Sequence, residues 1–241
     1  MPQRDITVSV ISHRQNALVN LLLEDLQRVC PDRIVLVITQ NTPDPSALTT
    51  GALACPTEVI SNPGVKGFGA NHNAAFERCR TPYFCVINPD VRLPSDPFPA
   101  LAACLETESA GAAGPLVCNP AGIAEDSARR FPTIGSLMHK ALVARPGPDY
   151  PTDRGPQTVD WIGGMFMLLR SDAYRAVDGF DEAYFLYYED VDLCRRLQAA
   201  GKSVTYQPAA RVVHDARRAS RRDPRLAIHH LRSVLRFLTH P

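Results

Sequence analysis

The chain is 241 residues long, 45% hydrophobic and +1 in net charge; that suits one well-buried domain with at most a small appendage and gives no global field toward nucleic acid. Its seven cysteines are odd in number, scattered and free of any C-x-x-C pair, which argues against a disulfide framework or a zinc ribbon and for reduced thiols buried in a cytoplasmic protein. Met1 leads into a charged turn and a strand, and no apolar run approaches the ~18–20 residues of a membrane span, so a soluble protein without a signal peptide is expected.

Residues 6–11 are a short β-branched run that fits a buried strand. Val19, Leu22, Leu23, Leu26 and Val29 then fall on one helical face, which Pro31 ends. Residues 33–39 (RIVLVIT) read as a second strand, 57–61 as a shorter third and 83–88 (YFCVIN) as a fourth. A glycine-rich turn over residues 62–69 opens a helix through Asn73, Ala74 and Phe76. This alternation with short connections predicts an α/β fold, a Rossmann-like and mostly parallel sheet covered by helices on both faces. Ligands of such sheets sit at the carboxyl ends of the strands, here residues 12–14, 39–41 and 88–90.

The second half is less regular. Residues 96–108 look helical and 112–118 extended, while 144–157 form a Pro/Gly-rich loop long enough to act as a lid. Residues 160–170 are apolar around Gly163 and Gly164 and run into a strand, after which Ser171 caps a short helix. Residues 189–200 form a helix that Gly201 stops, followed by a strand over 202–207 and an extended segment over 211–214. Ile228, Leu231, Leu235 and Leu238 mark an amphipathic C-terminal helix. From Arg211 onward there are eight arginines against only Asp215 and Asp223.

Three constellations carry chemistry. Asn88-Pro89-Asp90 follows a buried strand, and a carboxylate there can hold a hard divalent cation on a diphosphate; an ordinary Asn-Pro-Asp turn fits equally well. In Tyr187-Tyr188-Glu189-Asp190-Val191-Asp192 three carboxylates open a helix. The macrodipole favours them there, so they can be caps, or one can be a general base kept ionised by the same partial charge. Asp192 can pair with Arg195 or Arg196, which leaves Glu189 and Asp190 facing the helix start. His214 closes an extended segment, where a satisfied structural histidine is the commoner outcome. The arginines at 217, 218, 221 and 222 after it form a solvated face or neutralise an anion.

In their order these pieces resemble glycosyltransferase family 2, particularly its rhamnosyltransferase-like members. The resemblance runs from Ile6 to about Leu238 through Ser12-His13-Arg14, NPGVKGFGANHNAAF (62–76), VINPDVRL (86–93), DSARRFPT (126–133), WIGGMFMLLRSDAY (161–174), GFDEAYFLYYEDVDLCRRLQAAG (179–201) and PAARVVH (208–214). It implies a GT-A fold in one domain over residues 1–241. Within it, residues 1–93 would form a nucleotide-binding half, 94–214 an acceptor and catalytic half, and 215–241 a basic helical extension.

The implied reaction is single displacement with inversion. A nucleotide sugar, with a lean toward dTDP-rhamnose, would give its sugar to a saccharide or lipid-linked saccharide in cell-surface polysaccharide synthesis. The resemblance assigns Asp190 as catalytic base with Glu189 beside it, and Asp90 and His214 to Mg²⁺ or Mn²⁺. On the donor side it places Ser12, Arg14, Thr39, Asn41, Gly67, Asn71, Asn88 and Asp90. Asn88 stands where the family's D-x-D pattern has its first Asp, and Thr39 where many relatives have an Asp that reads the nucleoside, so uridine preference does not carry over.

Trp161, the sole tryptophan, lies beside Gly163 and Gly164 and is assigned with them to the acceptor side; a plain core tryptophan fits too. No nucleic-acid partner is expected, and the basic C-terminus suggests peripheral contact with an anionic membrane. Two rivals stay open: a catalytically silent nucleotide-sugar-binding scaffold, and a nucleotidyltransferase. The second would need a phosphate-binding loop that Ser12-His13-Arg14-Gln15 does not resemble.

Overall fold

The computed structural model describes residues 4–133, 135, 148–215 and 224–239. The first half contains β1 (Ile6–His13), α1 (Asn16–Val29), β2 (Ile34–Thr42), β3 (Thr57–Ser61), α2 (Phe68–Phe76), β4 (Tyr83–Ile87) and β5 (Val91–Arg92). After α3 (Phe98–Ala103) and β6 (Ala110–Cys118) come three short strands, β7 (Ala128–Arg129), β8 (Gln157–Thr158) and β9 (Trp161–Ile162). The chain continues with β10 (Phe166–Arg170), α4 (Ser171–Ala176), α5 (Glu189–Ala199), β11 (Ser203–His214) and α6 (Pro224–Thr239). The main sheet runs β3-β2-β1-β4-β10-β6-β11-β5, with β8 beside β11; β7 and β9 form a separate ribbon.

Pairing is parallel across β3, β2, β1 and β4, as the alternating first half dictates. β10 then enters antiparallel to both β4 and β6, so the sheet is mixed, and β11 returns parallel to β6. Side chains alternate across this plane. Phe166 and Leu168 of β10 join Ile6, Val8 and Val10 of β1 under Leu22, Leu23 and Leu26 of α1. Met167 and Leu169 point to the other face, against Tyr174, Leu193 and Leu197. Burying one such aliphatic side chain contributes ~1.5–3 kcal/mol, so two cores back to back hold the sheet rigid under its functional edge.

Several boundaries depart from the sequence expectation for identifiable reasons. The helix expected over 96–108 is only Phe98–Ala103, because Pro97 and Pro99 restrict its start and the chain turns at Cys104. Arg170, not Ser171, occupies the cap of α4; Ser171 is the first helical residue, buried with its hydroxyl 3.4 Å from Cys79 Sγ. The expected strand 202–207 and segment 211–214 are one strand, β11, with a register shift between Gln207 and Arg211 where Pro208 cannot donate to the ladder. Gly201, at φ +75°, ends α5 as expected. Of the anticipated lid, residues 144–147 lie outside the described residues, and 148–156 are irregular before β8.

Candidate active site

A cavity of about 780 Å³ opens at the carboxyl ends of β1, β2 and β4, where an open α/β sheet holds its ligands. Ile11, His13, Asn41, Asn88, Pro89 and Asp90 come to it from those strand ends. Lys66, Phe68 and Asn71 come from the glycine-rich turn, and Arg129, Arg130 and Trp161 from the ribbon. Residues 185–191, His214 and, from α6, Leu226 and His230 close the wall.

Strand pairing brings the two expected metal ligands together. β5 runs antiparallel to the end of β11, with His214 opposite Val91 and Val213 opposite Arg92, so Asp90 and His214 become neighbours. Asp215 N–H donates to the Asp90 carbonyl at 3.0 Å. The Asp90 Oδ1 atom lies 3.3 Å from His214 Nε2 and is buried without a hydrogen-bond partner among the described residues. An acceptor oxygen and a ring nitrogen 3.3 Å apart, with that oxygen unsatisfied, fit a hard divalent cation completed by ligand oxygens and water. Among the described residues no third His, Cys, Asp or Glu joins them in a protein-only cage.

Glu125 carries no role in the sequence reading. Its Oε2 atom lies 3.1 Å from His214 Nδ1, the arrangement that fixes a ligating imidazole with Nε2 outward. Burial pulls the His214 pKa down, but Asp90 and Glu125 overcome it and raise it above the ordinary value. Asp25 is a second unforeseen support. It receives Arg92 at 2.7 and 3.1 Å and the Leu93 N–H at 3.0 Å, which pins the chain just after Asp90. Burial alone would raise the Asp25 pKa; Arg92, the Leu93 N–H and Arg28 prevail and hold it below the usual range.

Elsewhere on the cavity wall, Tyr187 and Tyr188 both take left-handed conformations, at φ 71° and 67°. Two consecutive non-glycine residues there store backbone strain, ~1–3 kcal/mol each, and deliver Glu189 and Asp190 to the first turn of α5. Asp190 accepts the Gly164 N–H and the Val191 N–H, each at 2.8 Å. Burial still raises its pKa against those bonds and the charge of Arg129. Glu189 is buried with Oε2 unpartnered, and burial and the Asp190 charge push it above the usual range. Asp192 is spent on Arg195 and Arg196, at 2.9 and 2.7 Å. Arg129, ion-paired with Asp126, brings positive charge to the same wall.

The expected donor residues divide into three groups. Asn88 and Asp90 line the cavity. Asn41 and Asn71 also reach it, but their amides are spent on the glycine-rich turn. Asn41 accepts the Lys66 N–H at 2.8 Å and donates to the Lys66 carbonyl, and Asn71 donates to the Gly67 carbonyl at 2.9 Å. Ser12, Arg14, Thr39 and Gly67 do not line it. Ser12 is buried and donates to Asn16 at 2.6 Å, Thr39 is fully buried, and Arg14 is exposed beyond the rim. Gly67 is required by packing, since a Cβ there would lie 2.8 Å from the Phe185 carbonyl.

On the acceptor side Trp161 and Gly164 line the cavity, Trp161 donating to the Arg130 carbonyl at 3.0 Å. Gly163 lies behind, donating to the Ser127 carbonyl. Lys66, Phe68, Arg129, Phe185 and His230 also line the wall without having been anticipated. Arg129, Lys66, Phe68 and Phe185 lie within the quoted motif blocks; His230 is a single residue outside them.

A Rossmann-like sheet with a cavity at its strand ends, lined by Asp90, Glu189 and Asp190, is the architecture of glycosyltransferases of the GT-A type. GalNAc-T7, solved with UDP, GalNAc and Mn²⁺, superposes with a TM-score of 0.65 at 12% identity, over 89% of this chain and 44% of its own. The mannosyltransferase PcManGT of Pyrobaculum calidifontis, solved with GDP-Man and Mn²⁺, gives 0.64 at 14% identity, over 98% of this chain and 66% of its own.

Residues 2–232 match the model of the family described as glycosyltransferase like family 2, and the chain belongs to that family. Among its curated relatives is the N-acetylglucosaminyl-diphospho-decaprenol L-rhamnosyltransferase of Mycobacterium tuberculosis. It is 37% identical over 210 residues, 79% of this chain and 66% of the relative; this chain thus spans about two thirds of that protein's length. Rhamnosyltransferase WbbL of Escherichia coli K12 is 28% identical over 97% of this chain and 92% of its own.

Proposed function

We propose that the protein is a metal-dependent, inverting glycosyltransferase of cell-surface polysaccharide synthesis. Its donor would be a nucleotide sugar, dTDP-rhamnose by its likeness to the rhamnosyltransferases, and its acceptor a lipid-linked saccharide. One observation carries this reading: Asp190 and the Asp90–His214 pair line one cavity, the first held by backbone N–H groups and the second with an unsatisfied oxygen.

The chemistry follows from these positions. Asp190 accepts the proton of an acceptor hydroxyl as its oxygen bonds to the anomeric carbon of the donor. The bond from that carbon to the diphosphate breaks on the opposite face, and the nucleoside diphosphate leaves with the electron pair. Mg²⁺ or Mn²⁺ held by Asp90 and His214 would supply positive charge to the leaving diphosphate. Lys66 and Arg129 add charge at the cavity wall, and Glu189, whose pKa burial and the Asp190 charge raise, hydrogen-bonds the acceptor. Trp161, Gly163 and Gly164 form the acceptor side, with the indole as a platform for a sugar face. On the donor side, Asn88 reaches the ribose or a metal-bound water, and Asn41 and Asn71 shape the nucleoside end. Ser12, Thr39 and Gly67 support it from behind, and Arg14 lies beyond its rim. A lipid-linked acceptor lies in a membrane; no helix among the described residues is long and apolar enough to cross one.

The test is thermal denaturation with Mn²⁺ or Mg²⁺ and a panel of dTDP-, UDP- and GDP-sugars, with slow nucleotide release measured alongside. The true donor raises the melting temperature only with metal. Metal-dependent binding without any turnover would favour the silent scaffold. Pyrophosphate release from a nucleoside triphosphate and a sugar phosphate would favour the nucleotidyltransferase.

A further inference from the structure

Helix α6 is packed with its less apolar side inward. Ser233 and Phe237 are buried, while Ile228, Leu231, Leu235 and Leu238 are 51%, 59%, 53% and 36% exposed. At i, i+3, i+7 and i+10 these four make one continuous outer stripe. The orientation is fixed by many contacts. Ser233 donates to the Leu186 carbonyl at 2.9 Å, Arg236 binds Asp181 at 2.8 Å, and Arg195 reaches both the Phe237 carbonyl and its ring. His229 stacks on Phe185, and His230 packs edge-on against Tyr187 and Tyr188. Rotating the helix to bury the leucines would break all of these. A helix anchored with its apolar stripe in water has a use for that stripe elsewhere.

Charge says where. The eight arginines from Arg211 onward face two aspartates, in a chain whose net charge is only +1, so the remainder is net acidic and the positive charge is gathered at this end. Arg232 lies exposed within the outer face of α6 itself. A basic, amphipathic helix with low overall hydrophobicity binds in the plane of an anionic bilayer, its stripe in the acyl boundary and exposed arginines, here Arg232, at the head groups. We infer that Ile228, Leu231, Leu235 and Leu238 form a docking face for an anionic lipid surface. Leu226 and His230 of the same helix line the cavity, so docking brings the cavity mouth to the bilayer. That second step rests on the lipid-linked acceptor proposed above; the docking itself does not.

Sedimentation of the full chain with vesicles tests this, using phosphatidylglycerol mixed with phosphatidylcholine against phosphatidylcholine alone. Light scattering of the free protein is recorded in parallel. The wild type should bind the anionic vesicles and release with salt. The double variant Leu231→Ser, Leu235→Ser should bind them about tenfold more weakly or worse, with its melting temperature and donor stabilisation unchanged. Equal vesicle binding by wild type and variant would overturn the assignment, as would no binding of wild type to anionic vesicles. A wild-type dimer that the double substitution dissociates, without vesicle binding, would assign the stripe to a second copy instead. Vesicle binding in a protein that binds no nucleotide sugar would keep the docking face and overturn only the donor reading.

Discussion

Two neighbouring turns line the cavity, and they are built on opposite terms. The glycine-rich turn before α2 is a closed amide network. Asn62 donates to Asn41 at 2.9 Å and to Asn71 at 2.6 Å, and all three asparagines serve the turn or one another. The turn before α5 instead holds two left-handed tyrosines, an unpaired glutamate oxygen and a half-buried aspartate. The helices they open differ in charge as well. The first turn of α2 has no acidic residue, while that of α5 has Glu189, Asp190 and Asp192. A helix start free of acidic side chains suits the anionic donor, and an acidic one suits a proton acceptor. They also interlock, Phe68 N–H donating to the Phe185 carbonyl at 2.9 Å. The satisfied turn is the template that holds the strained one in place.

Removing the carboxylate charge from the strained turn should have the largest effect. Asp190→Asn keeps the shape but not the basicity, and kcat for transfer should fall by ~10²–10⁴ while metal-dependent donor binding persists. Loss of donor binding together with turnover would make Asp190 a structural or donor-side group. Next in size is the support behind the metal pair. Glu125→Ala should weaken Mn²⁺ binding to the free protein about 10–100-fold, read by calorimetry, with Glu125→Gln intermediate. Unchanged affinity in Glu125→Ala would deny Glu125 its orienting part.

The interlock itself is tested by Gly67→Ala, whose methyl would meet the Phe185 carbonyl at 2.8 Å. It should cost about 1–3 kcal/mol, seen in the denaturation midpoint. A neutral outcome would separate the two turns. The smallest effect is on pH dependence. Glu189 keeps its proton to higher pH in the native state than in the unfolded chain. In the window between the ordinary carboxylate range and that raised value the native state binds more protons, so stability falls as pH rises. Glu189→Gln is always neutral, so its melting temperature should drop less than that of the wild type from about pH 5 to about pH 8. Parallel profiles would show that Glu189 is not held protonated.

The sequence revealed the parts whose signal is local. The β-branched runs at 6–11 and 34–38 became buried strands, and the acidic block at 189–192 opened a helix. Asp90 and His214 are far apart in the chain, and no spacing rule joins them; the family resemblance paired them before the β5–β11 ladder did. Glu125 and Asp25 left no trace because an orienting carboxylate works through contacts made only in three dimensions. The C-terminal helix shows the limit most plainly. Its periodicity reveals a stripe, but a period carries no information about which side the rest of the molecule lies on. Ile228, Leu231, Leu235 and Leu238, which mark the helix in the sequence, are left in water by the fold.

The most direct test of the central claim is the reaction itself. The wild-type protein, Mn²⁺, the stabilising nucleotide sugar and a lipid-linked N-acetylglucosaminyl diphosphate would be combined, and the product's anomeric configuration read by NMR. The account predicts transfer of the sugar with configuration opposite to that of the donor, one nucleoside diphosphate released per linkage formed. A product that keeps the donor's configuration would contradict the single displacement at Asp190, and absence of transfer from every bound donor to saccharide acceptors would contradict the enzyme.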